Sequence, residues 1–273
     1  MKQTQTYHEI VQKLREFFLS KNFIEVPSQS RKSILAACEN PHSVATFEYD
    51  GLVWPLPQTG QMWLEYELLK NPEWDGCFCI STSYRDEKEP IPGRHEKIFP
   101  MFEFESKGDF DDLRKLNIEL TEYLGFDTPV QLDYNDTSKK YDAPILEDEH
   151  ESMMWNEYGD SISLETFPIR TSPFWNMKYI GDGKFNKCDI ILFGQETFGT
   201  AERSCDAKEM RNFFYSIMDG TYCEKLFELF GKERVETELE EFLSYDFFPR
   251  FGGGIGLTRL GRAWELNKQK ELV

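Results

Sequence analysis

The sequence predicts an α+β fold in one domain over residues 1–273, an antiparallel β-sheet flanked by helices. Three observations predict it. Strand-like and helix-like segments follow one another in mixed order, with no repeat and no Gly/Ser-rich linker between them. Two strand-like runs, GCFCISTSYR (76–85) and IFPMFEFE (98–105), flank KEPIPGRH (88–95), whose two prolines and glycine read as a loop, so the pair forms an antiparallel hairpin. The chain is 40% hydrophobic and 15% aromatic, enough to bury the core of one large domain.

The elements follow in order. Thr6 and Glu9 form a T-x-x-E capping box, and Ile10, Leu14, Phe17 and Phe18 then recur at helical spacing. NFIEV (22–26) reads as a strand, and 28–60, with Pro41, Pro55 and Pro57, as irregular. QMWLEYELLK (61–70) reads as a helix that precedes the hairpin. Leu113, Leu116, Leu120 and Leu124 make a helical stripe closed by Gly125. Residues 127–160 are polar and carry no clear period. CDIILFGQETFG (188–199) reads as one buried strand, and Asp206 as the cap of a helix carrying Met210, Phe213, Phe214 and Ile217. FFPRFGGGIGLTRLGRAWEL (247–266) reads as strand, glycine turn and helix.

Composition narrows the function classes. There are 31 Lys and Arg against 49 Asp and Glu, a net charge of −18, with no long basic run. A field of that sign opposes nucleic-acid binding, which depends on phosphate neutralisation. No stretch reaches the ~18 apolar residues of a membrane span, and MKQTQTYHEIVQKL lacks the apolar centre of a signal peptide. The six cysteines are scattered, with no CxxC pair near histidines, which predicts reduced thiols and a cytoplasmic protein.

Chemistry concentrates at two places. In a strand alternate residues share a face, so Arg85 and Glu87 point one way, as do Phe99, Met101, Glu103 and Glu105. A fixed cation, carboxylates and a ring beside a partly basic loop suit an anionic, ring-bearing ligand such as a nucleotide. The second place is GGGIGLTRL (252–260), where glycines let a backbone approach a ligand and Arg259 enters the following helix. It is neither a Walker loop nor a GxGxxG turn, and alone it reads equally as a packing device.

Together these residues resemble the catalytic core of class II aminoacyl-tRNA synthetases, from about residue 10 to residue 268. Tyr84-Arg85-Asp86-Glu87 and Arg94-His95 through Phe99 match the second motif of that class, and GGGIGLTRL matches the third. LAACENPHSVATF (35–47), TGQMWLE (59–65), FWNMK (174–178) and GQETFGTAERSCD (194–206) are similar, in order, to segments of the aspartyl/asparaginyl branch.

The resemblance implies ATP and Mg2+ as cofactors. It implies Arg85 and Arg259 as catalytic arginines, Arg85 on the α-phosphate and Arg259 stacking adenine against Phe99. Glu87 would sit by the adenine edge or the loop, and Arg94 and His95 would reach the outer phosphates. Asp189 and Glu196 match the magnesium carboxylates, with a plain surface carboxylate as the alternative for Asp189. Glu39 and Gln61 match the positions that hold the substrate α-amino group. Arg203 matches the arginine that meets its side chain, and Glu65 matches the asparagine-specific relatives. Leu64 stands where aspartate-specific relatives carry lysine, so aspartate and asparagine both stay open.

The resemblance also implies a homodimer formed through the first helix and NFIEV, although Pro27 follows Val26 sooner than that motif expects. Thr258 replaces an acidic residue and is similar to ammonia-dependent asparagine synthetase. No room is seen for an anticodon-binding domain. The expected activity is therefore adenylation of an aspartate- or asparagine-like amino acid and transfer to a small amine, ammonia first. No tRNA and no membrane partner are expected. The alternatives are a truncated asparaginyl or aspartyl synthetase, a ligase acting on another metabolite or protein amine, and a catalytically silent relative.

Overall fold

The computed structural model describes residues 2–28, 32–35, 39–88 and 96–270. In chain order the elements are α1 (Lys2–Ser20), β1 (Ile24–Glu25), β2 (Thr46–Tyr49), β3 (Leu52–Pro55), α2 (Gln61–Lys70), β4 (Gly76–Tyr84), β5 (Ile98–Lys107) and α3 (Phe110–Tyr123). They continue with β6 (Val130–Asp133), α4 (Tyr134–Lys140), α5 (Asp148–Tyr158), β7 (Ser161–Pro168), β8 (Tyr179–Gly181), β9 (Lys184–Leu192) and β10 (Gln195–Glu202). The last are α6 (Ala207–Ser216), α7 (Thr221–Phe230), α8 (Lys232–Leu243), β11 (Arg250–Gly256) and α9 (Leu257–Lys270). A nine-stranded sheet runs β1-β4-β5-β11-β10-β9-β7-β6, with β8 on β9, and β2–β3 form a separate hairpin. Pairing is antiparallel except at β1–β4 and β6–β7, so the α+β expectation holds.

Alternation decides which face is core. Phe78, Phe102 and Phe104 turn to one side, where they pack against Phe18 of α1 together with apolar residues of α3 and α9. The Phe78 and Phe102 rings stack at 5.1 Å. Glu103 and Glu105, one residue out of step, turn to the other side. That face is bordered by α2 and by an aromatic cluster of Tyr66, Trp175, Phe214 and Phe242 shared with α6 and α8.

Several expectations are corrected. The helix starts at Lys2, not at a Thr6 cap; Thr6 lies within α1 and its hydroxyl donates to Glu265 of α9 at 2.6 Å. NFIEV contributes only two strand residues. The apolar side of α1, offered as a dimer surface, is buried in the chain's own core: Ile10, Leu14 and Phe18 are fully covered. CDIILFGQETFG is not one strand but two, because Phe193 (φ 48°) and Gly194 (φ 73°) make a tight turn between β9 and β10. The run was misread because its apolar character continues straight through the turn.

The glycines of GGGIG are strand rather than turn. β11 lies between β5 and β10, and a side chain at Gly252 would collide with Glu105 and come within 2.5 Å of the Phe104 carbonyl oxygen. At Gly254 it would come within 2.7 Å of Met101. The glycines keep the groove above β11 open. Gly252→Ala is expected to cost about 1–3 kcal/mol, as overpacking does; an unchanged urea midpoint would contradict this.

Among the described residues no helix is long and apolar enough to cross a membrane. Cys77, Cys79, Cys188, Cys205 and Cys223 are free thiols, as expected, and Cys38 lies outside the described residues.

Candidate active site

The open face of β5, β11, β10 and β9 gathers the predicted residues into two lobes. In the first, Arg85 follows the end of β4 and lies over the Phe99 ring, 5.2 Å from its centre. Its Nε is buried and has no hydrogen-bond partner among the described residues. Glu87 approaches the same guanidinium at 4.0 Å. Arg259, in the first turn of α9, donates to the Glu196 carbonyl at 2.8 Å, and its guanidinium lies 4.0 Å from the Glu196 carboxylate. Two partly exposed guanidiniums and a ring on one open face have the chemistry to hold a polyphosphate with an aromatic base. Thr258 turns to Glu96 instead, donating at 3.0 Å. Arg94 and His95 lie outside the described residues.

The FG turn folds β10 back on β9 and sets Asp189 opposite Gly199. With no side chain at Gly199, space opens where a Cβ would stand 3.0 Å from Glu196 Oε1 and 3.7 Å from Asp189 Oδ1. Asp189 Oδ1 is buried without a hydrogen-bond partner among the described residues, while Oδ2 accepts from Lys187 at 2.6 Å. Among the described residues no group of three or more His, Cys, Asp or Glu forms a metal cluster. Two hard carboxylates, one with an unsatisfied buried oxygen, nevertheless fit a magnesium ion that takes its remaining ligands from phosphate and water.

Burial pushes the Asp189 carboxyl up to about 7, Lys187 opposing and Glu196 and Glu151 adding to the rise. A carboxyl raised on folding contributes stability below its unfolded value, and that contribution is lost as pH rises through about 7. With a chelator present, Asp189→Asn should therefore stabilise the protein at pH 8 by on the order of 1–3 kcal/mol. The gain should shrink as pH falls and vanish only below about 3, where the carboxyl is protonated in both states. Equal effects in urea melts at both pH values would contradict this.

The second lobe is buried. Arg203 is 1% exposed; its Nε donates to Glu105 at 3.0 Å and its Nη2 to Gln61 at 2.8 Å. Glu65 lies 3.7 Å from the same guanidinium. Both Glu65 oxygens are already engaged, one by Arg250 at 2.8 Å and the other by Asn176 at 2.7 Å. Glu65 thus braces the lobe from behind. Glu39 is buried, and its charge helps raise the buried Tyr222 hydroxyl, after desolvation.

The resemblance assigned no role to four residues of this lobe, although the hairpin alternation had already turned Glu103 and Glu105 toward a ligand. Glu103 Oε2 accepts from the Gly60 amide at 2.7 Å and from Ser81, while Oε1 is buried with no partner among the described residues. Burial raises its carboxyl. Glu105 Oε2 is likewise buried without a partner, and burial raises that carboxyl against the pull of Arg203. The alternation of MFEFE was the available signal for both. Arg250 and Asn176 carried none, because their partner Glu65 is 185 and 111 residues away.

Comparison with known proteins bears on the family and the fold. The family model "tRNA synthetases class II (D, K and N)" matches residues 1–264. No curated protein matches. Among solved structures, asparaginyl-tRNA synthetase from Pyrococcus horikoshii complexed with asparaginyl-adenylate is similar at TM-score 0.80 and 18% identity, over 97% of this chain and 66% of that one. The Entamoeba histolytica asparaginyl-tRNA synthetase in complex with asparaginyl-adenylate follows at 0.73 and 18%, over 95% and 63%. Aspartyl tRNA synthetase from the same organism gives 0.70 and 17%, over 96% and 55%. The chain thus spans less than two thirds of the length of these matches. With the family model covering nearly every residue and the fold in agreement, this chain belongs to the class II tRNA synthetases of the D, K and N group.

Proposed function

We propose that the chain activates aspartate or asparagine with ATP and passes the acyl group to a small amine. The observation that carries this reading is the Arg203–Glu105 pair at the floor of the buried lobe. It presents a donor and an unpartnered acceptor side by side. An amide suits that pair, its oxygen accepting from Arg203 and its nitrogen donating to Glu105 Oε2. A substrate carboxylate must instead compete with Glu105 for Arg203. Glu103 Oε1, which has no hydrogen-bond partner among the described residues, would accept from the α-ammonium, with Gln61 beside it. A wrong side chain leaves one of these buried groups unpaired, which is how such sites discriminate.

In the first step a carboxylate oxygen of the amino acid attacks the α-phosphorus, the bond to the bridging oxygen breaks, and pyrophosphate leaves. Arg85 and Arg259 stabilise the charge that grows on the phosphoryl oxygens, and the two lobes hold the reactants in line. Magnesium bound at Asp189 and Glu196 would neutralise charge on the phosphates. No side-chain nucleophile is required. In the second step the amine nitrogen attacks the acyl carbon and AMP departs.

Ammonia is the smallest acceptor. With aspartate activated at its side-chain carboxylate it would give asparagine, a second reading in which the α-carboxylate takes the Arg203 end; it is favoured by the hydroxyl of Thr258, where an acidic residue is usual in the resemblance. The net charge of −18 supports an amine over tRNA. The test is mass spectrometry of products from ATP, aspartate or asparagine, and ammonia, beside a parallel incubation with total tRNA at low salt. Amide product supports the proposal. Ester on a specific tRNA at a rate comparable to adenylate formation would replace it with a tRNA-charging role.

A further inference from the structure

Between β3 and α2 the strip Gln58-Thr59-Gly60-Gln61 crosses under the amino-acid lobe. It is buried although three of its four residues are polar: Gln58 is 2%, Thr59 4% and Gln61 3% exposed. Its far end is fixed to the lobe. The Gly60 amide donates to Glu103 at 2.7 Å, Gln61 Oε1 accepts from Arg203 at 2.8 Å, and the Thr59 hydroxyl accepts from the Gln61 amide at 2.9 Å. At its near end Gln58 turns to a different segment. Its Oε1 accepts from the Asn40 amide at 2.8 Å, and its Nε2 donates to the Asn40 carbonyl at 3.1 Å and to the Ser43 hydroxyl at 3.2 Å. Backbone bonds frame this clasp. Leu56 donates to Ala45 at 2.8 Å, Tyr84 to Pro57 at 2.8 Å and Asp86 to Ser43 at 2.9 Å.

A primary amide has two N–H hydrogens and one oxygen. In Gln58 all three functions are engaged by Asn40 and Ser43, so the side chain acts through that segment and not on a substrate. Pairing with both the N–H and the C=O of Asn40 fixes that residue in orientation as well as distance, and Asn40 directly follows the buried Glu39. We propose that Gln58 is a positioning residue that sets Glu39 beside the α-ammonium of the amino acid. The inference rests on the adenylation reading above and on its placement of that ammonium. The other two groups placed there, Glu103 and Gln61, are tied to the same strip two and three residues beyond Gln58. One buried strip thus sets the spacing of three groups around one cation. A misplacement of about 1 Å in such a site can cost up to about 10²-fold.

The experiment is calorimetric titration of asparagine, and of succinamate as its analogue without the amino group, into the parent, Gln58→Met, Glu39→Gln and the double variant. Aspartate with succinate is run as the matched pair. Gln58→Met keeps the length of the side chain and removes its hydrogen bonds. It should bind the preferred amino acid at least about tenfold more weakly than the parent, and the analogue without the amino group within about twofold. The double variant should bind that amino acid within about twofold of Glu39→Gln alone, because Gln58 acts through Glu39. In pyrophosphate exchange the loss should fall on KM for the amino acid, with KM for ATP within about twofold. Gln58→Asn, too short by one methylene to span the clasp, should give the same result and serves if Gln58→Met does not fold. An equal loss for amino acid and analogue, or losses that add in the double variant, would overturn the assignment and leave Gln58 as loop packing. The two readings separate. If exchange is absent with every amino acid but Gln58→Met selectively weakens amino-acid binding, the clasp stands and the adenylation reading falls. Exchange in the parent with unchanged amino-acid affinity in Gln58→Met overturns the clasp and spares adenylation. Binding of neither amino acid to the parent overturns the clasp whatever the exchange assay gives.

Discussion

Arg85→Ala is expected to slow amino-acid-dependent ATP–pyrophosphate exchange about 10²–10³-fold, the cost typical of removing one donor from a developing oxyanion. The guanidinium has one face over Phe99 and a buried Nε with no partner among the described residues. Among the described residues its positive charge approaches Glu87, at 4.0 Å. Because the side chain is 31% exposed and makes no buried ion pair, stability should change by less than about 0.5 kcal/mol. Arg85→Lys should recover part of the rate, since a point charge replaces a planar fork. Exchange within threefold of the parent in Arg85→Ala would show that the arginine does not reach the α-phosphate.

Arg250→Ala is expected to have the largest effect on stability, a loss of about 3–5 kcal/mol. Arg250 and Glu65 are both 0% exposed, joined at 2.8 Å and 3.2 Å, and Arg250 also donates to the Ser204 carbonyl at 3.1 Å. Deleting the guanidinium leaves Glu65 buried beside Asn176, with Arg203 at 3.7 Å as its remaining cation. It also removes the plane that covers Phe247 at 4.8 Å. Replacing both partners with apolar residues, Arg250→Met with Glu65→Leu, should restore much of the loss, because breaking a buried pair costs more than replacing it. Urea unfolding checks both variants. A single variant as stable as the parent, or a double variant no better than the single, would contradict the account.

What was legible in the sequence was local. QMWLEYELLK, GCFCISTSYR and the leucine stripe closed by Gly125 carried their own period and ended where the structure ends them, within a residue or two. Asp206 capped its helix as expected, accepting from the amides of Lys208 and Glu209. Errors arose where a local pattern has two structural solutions. An apolar run through Phe193-Gly194 reads as one strand because hydrophobicity does not register a reversal of direction. GGGIG reads as a turn because glycine permits one, whereas here it thins a strand under a groove. The polar span 127–160 holds β6, α4 and α5, whose apolar residues Tyr134 and Met154 are too sparse to show a period alone. Within the candidate site, Arg203, Gln61, Asp189 and Glu196 were pointed to by resemblance alone. Arg250, Asn176 and the unpartnered oxygens of Glu103 and Glu105 appear only when distant strands are brought together.

The central claim is that the buried lobe selects an acidic or amide amino acid for adenylation. ATP–pyrophosphate exchange across all twenty amino acids, with magnesium, tests it most directly. The account predicts exchange with asparagine or aspartate, at least about 100-fold above every aliphatic and aromatic amino acid, and its loss in Arg203→Leu. Exchange with none of the twenty, or exchange strongest with an aliphatic or aromatic amino acid, would contradict it.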